Sequence, residues 1–187
     1  MPVLGLGTLN NKGEGGSALV EAALAAGYRH IDAAEYYGNE DAVGRGLARS
    51  AVRREDVWVT TKVLHPKAPR PRSVRAAAEA SLRRLGVEYV DALLIHGPNP
   101  HYELEESLAV FTRLREEGKV RYIGVSNFPM ALLRRALDIA PELVLNQVDY
   151  HPYSSSPSSS RRRATPVSSS WRGGRACRRR QPRADMG

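Results

Sequence analysis

An aspartate, a tyrosine, a lysine and a histidine are the residues of this chain best suited to move a proton. Asp32 ends HID within the stretch YRHIDAAEYYGNE (residues 28–40), and Tyr37 follows five residues later. Lys62 ends VWVTTK and His96 ends VDALLIH. A tyrosine donates a proton near neutral pH only where its phenolate is favoured, and a neighbouring ammonium does that. A carboxylate beside the lysine would keep it charged and in place, while a histidine can hydrogen-bond a carbonyl oxygen. Ser126 and Asn127 close YIGVSN, and Gln147 lies in LVLNQV. Asn and Gln each present both a donor and an acceptor. Each residue has a plainer reading when taken singly: Asp32 as a helix cap, His96 as a core histidine, Lys62 as a solvated strand end. Tyr36, next to Tyr37, is read as a packing residue.

The elements that must position these groups follow from hydrophobic periodicity. Strands are expected over residues 3–7, 29–32, 57–62, 90–96, 123–126 and 143–148. Behind the Gly-rich NNKGEGG, Ser17 is the expected N-cap of a helix striped by Leu19, Val20, Ala23 and Leu24 and stopped by Gly27. A second helix is expected over 40–49, starting near Asn39. A third carries Val74, Ala77, Ala78, Leu82 and Leu85, and a fourth carries Leu104, Leu108, Phe111 and Leu114. A fifth begins at Pro129. Prolines make 65–71 a loop.

This alternation implies a parallel sheet with right-handed crossovers. A doubly wound open sheet is the alternative, but no strand runs into G-x-G-x-x-G and no G-x-x-x-x-G-K-[ST] is present. Strands that each deliver one polar group at the C-terminal end are how a (β/α) barrel builds a site. The expected fold class is therefore α/β: an incomplete (β/α)8 TIM barrel of about six βα units over 1–153, followed by a disordered tail over 154–187. A closed barrel needs eight strands and roughly 250 residues.

The formal net charge of +8 looks like a nucleic-acid signal until it is located. The 187 residues hold 28 basic and 20 acidic groups, and residues 154–187 hold nine arginines against Asp185. The body is thus neutral and the basicity belongs to a Ser/Arg-rich segment with no apolar period. An arginine-rich nucleic-acid arm is one reading of that segment, and a shift of reading frame in a G+C-rich gene is another. No nucleic-acid partner is expected. No apolar run approaches a membrane span, and the first residues lack the pattern of a signal peptide. Cys177 is the only cysteine, so no intrachain disulfide is expected and a cytoplasmic location is. No metal site is expected.

The stretch YRHIDAAEYYGN strongly resembles the signature of the aldo-keto reductases, and VTTKV, LLIHGP, GVSNF and NQVDYHPY match further motifs of that family in order. The resemblance is closest to bacterial-type members acting on diketo-sugar acids. It implies an NADPH-dependent reduction of aldehyde or ketone carbonyls, with a small-molecule substrate. Asp32, Tyr37, Lys62 and His96 would form the catalytic tetrad, with Tyr37 the proton donor. Thr8, Asp32, Ser126, Asn127 and Gln147 would contact the cofactor, and a complete barrel would be monomeric. Gly97 and Leu9 stand where aromatics are common in the family, which implies a wide substrate pocket. The final strands that usually stack on the nicotinamide and grip the 2′-phosphate are not apparent. The chain alone is thus expected to show little activity, or to be an inactive fragment or a scaffold.

Overall fold

A computed structural model describes residues 1–63, 71–99 and 103–149, and in α3 the side chains from Val74 onward. The expected boundary at 153, the tail over 154–187 and the loop expected over 65–71 lie outside the described residues, except Pro71, which opens α3 rather than closing the loop. Six strands alternate with five helices: β1 Leu6–Gly7, α1 Gly13–Ala25, β2 His30–Asp32, α2 Glu40–Arg49, β3 Trp58–Val63, α3 Pro71–Leu85, β4 Val90–Ile95, α4 Leu104–Glu116, β5 Val120–Ser126, α5 Met130–Ile139 and β6 Leu145–Gln147. Two 3-10 turns, Glu35–Tyr37 and Arg54–Asp56, precede α2 and β3. The strands form one parallel sheet in the order β1-β2-β3-β4-β5-β6. This is an incomplete (β/α) barrel, as expected.

Register assigns the two faces of the sheet. Asp32 lies beside Thr60, Lys62 beside Leu94, Leu94 beside Gly124, and Ser126 beside Gln147. Because side chains alternate along a strand, one face carries His30, Asp32, Trp58, Thr60, Lys62, Leu94, Ser126 and Gln147. The other carries Ile31, Val59, Leu93, Ile95, Ile123 and Val125. That second face packs under the helices with Leu24, Leu85, Leu108, Phe111 and Leu114 in one large core. Each such side chain, fully buried, contributes about 1.5–3 kcal/mol, so the helix side holds the fold together. The first face has only a small apolar cluster, Ala92, Leu94 and Leu145 with Trp58 packed against it.

The sheet is curled. Gln147 on β6 donates from Nε2 to Asp32 Oδ2 on β2 at 2.8 Å, although three strands lie between. A flat sheet would separate those strands by roughly 19 Å at about 4.8 Å per step. The polar face is therefore the concave, barrel-interior one.

Two expectations about the elements are corrected. Ser17 is not the N-cap of α1: the helix starts four residues earlier, with Lys12 at the cap making no side-chain bond. Ser17 is buried inside the helix, where its Oγ donates to the Gly13 carbonyl and accepts from Arg45 Nε. The glycines over 13–16 are thus helical, tertiary packing having overridden a poor propensity. β5 begins at Val120, three residues before the expected start, because its first residues pair with β4 through Val90↔Val120 and Ala92↔Tyr122.

Candidate active site

The sequence YRHIDAA builds the first wall. His30, Ile31 and Asp32 are all buried, and the backbone continues through Ala33, whose N–H donates to the Thr60 carbonyl at 2.8 Å. Asp32 is held from its own backbone: Thr8 N and Thr8 Oγ1 both donate to the Asp32 carbonyl, at 3.0 and 2.9 Å. Its carboxylate is only 1% exposed. A buried carboxylate is costly unless paired, and this one has two partners, Gln147 through Oδ2 and Lys62 through Oδ1 at 2.5 Å.

Lys62 is the most informative side chain of the fold, being 2% exposed on β3. An ammonium has three donors, and all three have acceptors here: Asp32 Oδ1, the Ala33 carbonyl at 3.0 Å, and the Tyr37 hydroxyl at 3.3 Å. Two contacts fix the lysine and the third aims it at the phenol. Tyr37 sits at the end of the 3-10 turn, just before Gly38, whose φ of 60° is left-handed and suits glycine.

His96 follows β4 directly and is tied there by its own N–H to the Val63 carbonyl at 3.0 Å. Its imidazole meets the Tyr37 ring edge-on, with centroids 5.7 Å apart at 83°. Burial, and then the charge of Lys62, push its pKa down to about 4, so the ring is neutral at physiological pH. Among the described residues its buried Nδ1 has no partner.

The amide-bearing groups converge at the ends of β5 and β6. Ser126 Oγ donates to the Gln147 carbonyl at 3.0 Å, and Asn127 N donates to the same carbonyl at 2.8 Å. Asn127 adopts φ 59°, a left-handed conformation that Asn tolerates better than most residues, and its Nδ2 reaches Ser126 Oγ at 3.2 Å. The structure therefore brings Asp32, Tyr37, Lys62 and His96 into one cluster. It sets Ser126, Asn127 and Gln147 on the flanking strand ends, with Gln147 joined to Asp32. Thr8 differs from the others. It is fully buried, and its carbonyl, N–H and hydroxyl are engaged by Asn39, Asp32 and Asp32 respectively.

Three residues at the site were read wrongly or passed over in the sequence. Tyr36 is not a packing residue: it is 69% exposed and its ring stands edge-on to His96 at 5.9 Å. Asn39 is more than a helix start, since its side chain is fully buried and donates to the Thr8 and Asn11 carbonyls at 2.6 and 2.9 Å. Glu40, passed over as the first residue of a helix, is a buried carboxylate. The signal for the last two was their position directly after the tyrosine-bearing turn.

The curled parallel sheet thus brings a lysine, held by an aspartate and in contact with a tyrosine hydroxyl, to the C-terminal ends of its strands. Residues 3–166 match the Aldo/keto reductase family. The chain belongs to that family. It is 44% identical to an aldo-keto reductase of Mycobacterium sp. (strain KMS) over 156 residues, covering 81% of this chain and 55% of the relative. Among solved structures it is similar to a putative 2,5-diketo-D-gluconic acid reductase B, with TM-score 0.77 and 36% identity, over 84% of this chain and 56% of that one. A Bombyx mori aldo-keto reductase in complex with NADP gives TM-score 0.76 and 32% identity, over 84% and 58%. The chain thus spans somewhat more than half the length of these relatives.

Proposed function

We propose that this chain carries the proton-donating part of an NADPH-dependent reductase that converts aldehyde or ketone carbonyls to alcohols. The observation that carries this reading is the line Asp32–Lys62–Tyr37, with contacts of 2.5 and 3.3 Å, beside a neutral His96. The Tyr37 hydroxyl gives its proton to the carbonyl oxygen, and the Lys62 ammonium stabilises the phenolate left behind. Asp32 keeps Lys62 charged and fixed, and the His96 imidazole orients the carbonyl oxygen. A reduced nicotinamide, when bound, supplies hydride to the carbonyl carbon.

The residues present fit such a cofactor. Ser126, Asn127 and Gln147 offer hydroxyl and amide groups at adjacent strand ends, which matches a carboxamide's need for donors and acceptors together. Thr8 acts by holding Asp32. Among the described residues a side chain at Gly97 would meet no atom within 4 Å, which supports a wide substrate pocket. Small carbonyl compounds, diketo-sugar acids among them, are the proposed substrates. A cytoplasmic location and a monomeric complete barrel belong to the same reading. Among the described residues no helix is long and apolar enough to cross a membrane.

A second reading, an inactive fragment or barrel-derived scaffold, is favoured by one observation. Among the described residues the sheet runs linearly from β1 to β6, and these two strands do not pair with each other. Titrating NADPH into the full chain while following cofactor fluorescence, then adding a simple aldehyde, separates the readings. Micromolar binding with turnover that Tyr37→Phe abolishes, cofactor affinity being retained, supports the reductase. Folded protein without turnover supports the fragment. A Tyr37→Phe protein that keeps most of the wild-type kcat removes Tyr37 from the proton step.

A further inference from the structure

We propose that Glu40 is a positioning residue that sets the Tyr37 hydroxyl against Lys62, an inference that rests on the reading of Tyr37 given above. Glu40 opens α2, three residues after Tyr37, and Thr61 immediately precedes Lys62. Thr61 Oγ1 donates to Glu40 Oε1 at 2.5 Å. Arg84 of α3 donates to Glu40 Oε2 from Nε and Nη2, at 2.9 and 2.6 Å. Alternation along β3 turns Thr61 to the helix side and Lys62 to the barrel interior. One hydrogen bond on the outer side of β3 therefore joins the residue before Lys62 to the helix start three residues beyond Tyr37. Lys62 and Tyr37 themselves meet at 3.3 Å on the inner side.

The turn between needs such an anchor. None of the residues of the 3-10 turn Glu35–Tyr37 is buried, so apolar packing does not fix where Tyr37 lies. Its ends are fixed instead, before it by Ala33, whose N–H is bonded to the Thr60 carbonyl of β3, and after it by Asn39 and Glu40. The Glu40 carboxylate is buried whereas Arg84 is 40% exposed, so the pair itself is a weak source of stability. It is a strong constraint on geometry, because an unpaired carboxylate there is heavily penalised. Close packing supports the same placement. A Cβ on Gly44, one turn into α2, would come within 2.5 Å of the Leu85 carbonyl, so α2 and α3 touch backbone to backbone. Thr61, Glu40 and Arg84 thus act through a rigid contact between β3, α2 and α3.

The test uses the full chain labelled with 3-fluorotyrosine, the Tyr37 resonance being identified by its loss in Tyr37→Phe. Thr61→Val removes the hydroxyl at nearly constant volume, and Glu40→Leu removes the acceptor. Glu40→Gln keeps an acceptor for Thr61. Thr61→Val and Glu40→Leu should both move the Tyr37 line towards that of free fluorotyrosine, and Glu40→Gln should leave it near the wild-type position. Asp91→Asn, a change to a buried carboxylate at the other end of the sheet, should lower the melting temperature without moving the line. A folded Thr61→Val protein whose Tyr37 line is unmoved overturns the proposal, as does an equal movement in Asp91→Asn. The readout needs no turnover, so it fails or succeeds independently of the reductase reading. With turnover, the matching result is a fall in kcat of about 10- to 100-fold at unchanged KM, the size expected for a misplacement near 1 Å.

Discussion

Both ends of the sheet bury an aspartate among cations and a tyrosine ring, and they differ in which group is free to act. At the C-terminal end, Asp32 holds a lysine that reaches onward to a phenol. At the N-terminal end, Asp91 accepts from Val59 N, Arg54 Nη2 and Arg121 Nη1, each at 2.9 Å. The two guanidinium groups then lie over the Tyr89 ring, at 4.4 and 4.2 Å from its centroid. Arg54 also donates to the Tyr89 and Val57 carbonyls. An arginine's planar fork locks several acceptors at once, whereas a lysine is a compact charge that can be aimed. The lower cluster is a fastening and the upper one a poised group. The two ends thus differ in which cation faces the carboxylate, and the lysine lies at the C-terminal strand ends, where barrel chemistry generally sits.

The largest effect expected from breaking this contrast is at Lys62. Lys62→Met leaves Asp32 buried with Gln147 as its one side-chain partner, and removing one member of a buried pair typically costs about 3–5 kcal/mol. The variant should unfold at markedly lower denaturant and should show no carbonyl reduction. Asp32→Asn together with Lys62→Met removes both charges and should recover much of the stability and none of the activity. A double variant as unstable as the single one would show that packing of the lysine stem, not charge, dominates at this position.

Asp91→Asn should be milder, and should touch stability alone. It keeps an oxygen acceptor but loses charge opposite two arginines, and hydrogen bonds to charged groups are worth about 1.5–3 kcal/mol. A drop of about 2 kcal/mol in unfolding free energy is expected, with cofactor affinity and kcat unchanged. A change in kcat would mean that the two ends of the sheet are coupled, and the contrast drawn above would fail.

The same contrast marks what the sequence disclosed. The placement of Asp32, Lys62, His96 and Ser126 was legible because each ends an apolar run, and that of Gln147 because it lies within one; strand alternation then fixes the face. The sheet order followed from the βα alternation. The Asp91 cluster was not legible, because VDALLI reads as an apolar strand and its partners stand 30 to 37 residues away. Glu40 and Arg84 are 44 residues apart, and an acid in a first helical turn is ordinarily solvated. Tyr36 was misread because both tyrosines of the short turn meet His96 while Tyr36 stays 69% exposed, an arrangement that residue types alone do not decide. The start of α1 was missed because glycine argues against helix until a packing partner argues for it.

The smallest effect is at His96, and it tests whether the upper site holds a neutral ring in place. The folded pKa is pushed down to about 4 by burial and by Lys62, from the usual value of 6.5. Between those values the unfolded chain binds the proton and the folded chain does not, so stability falls as pH drops from about 6.5 to 4 and levels off below. Burial lowers the pKa of His30 as well, with the same sign. His96→Gln should remove the His96 share and leave the rest. The urea midpoint of the wild type should therefore fall more between pH 7 and pH 5 than that of the variant, since carboxylate contributions cancel in the difference. Identical falls would mean that the imidazole is solvated when folded. For turnover the consequence runs the other way: a ring already neutral at pH 5 contributes no acid limb to kcat/KM between pH 5 and 8. A limb in that range that survives in His96→Gln then belongs to another group.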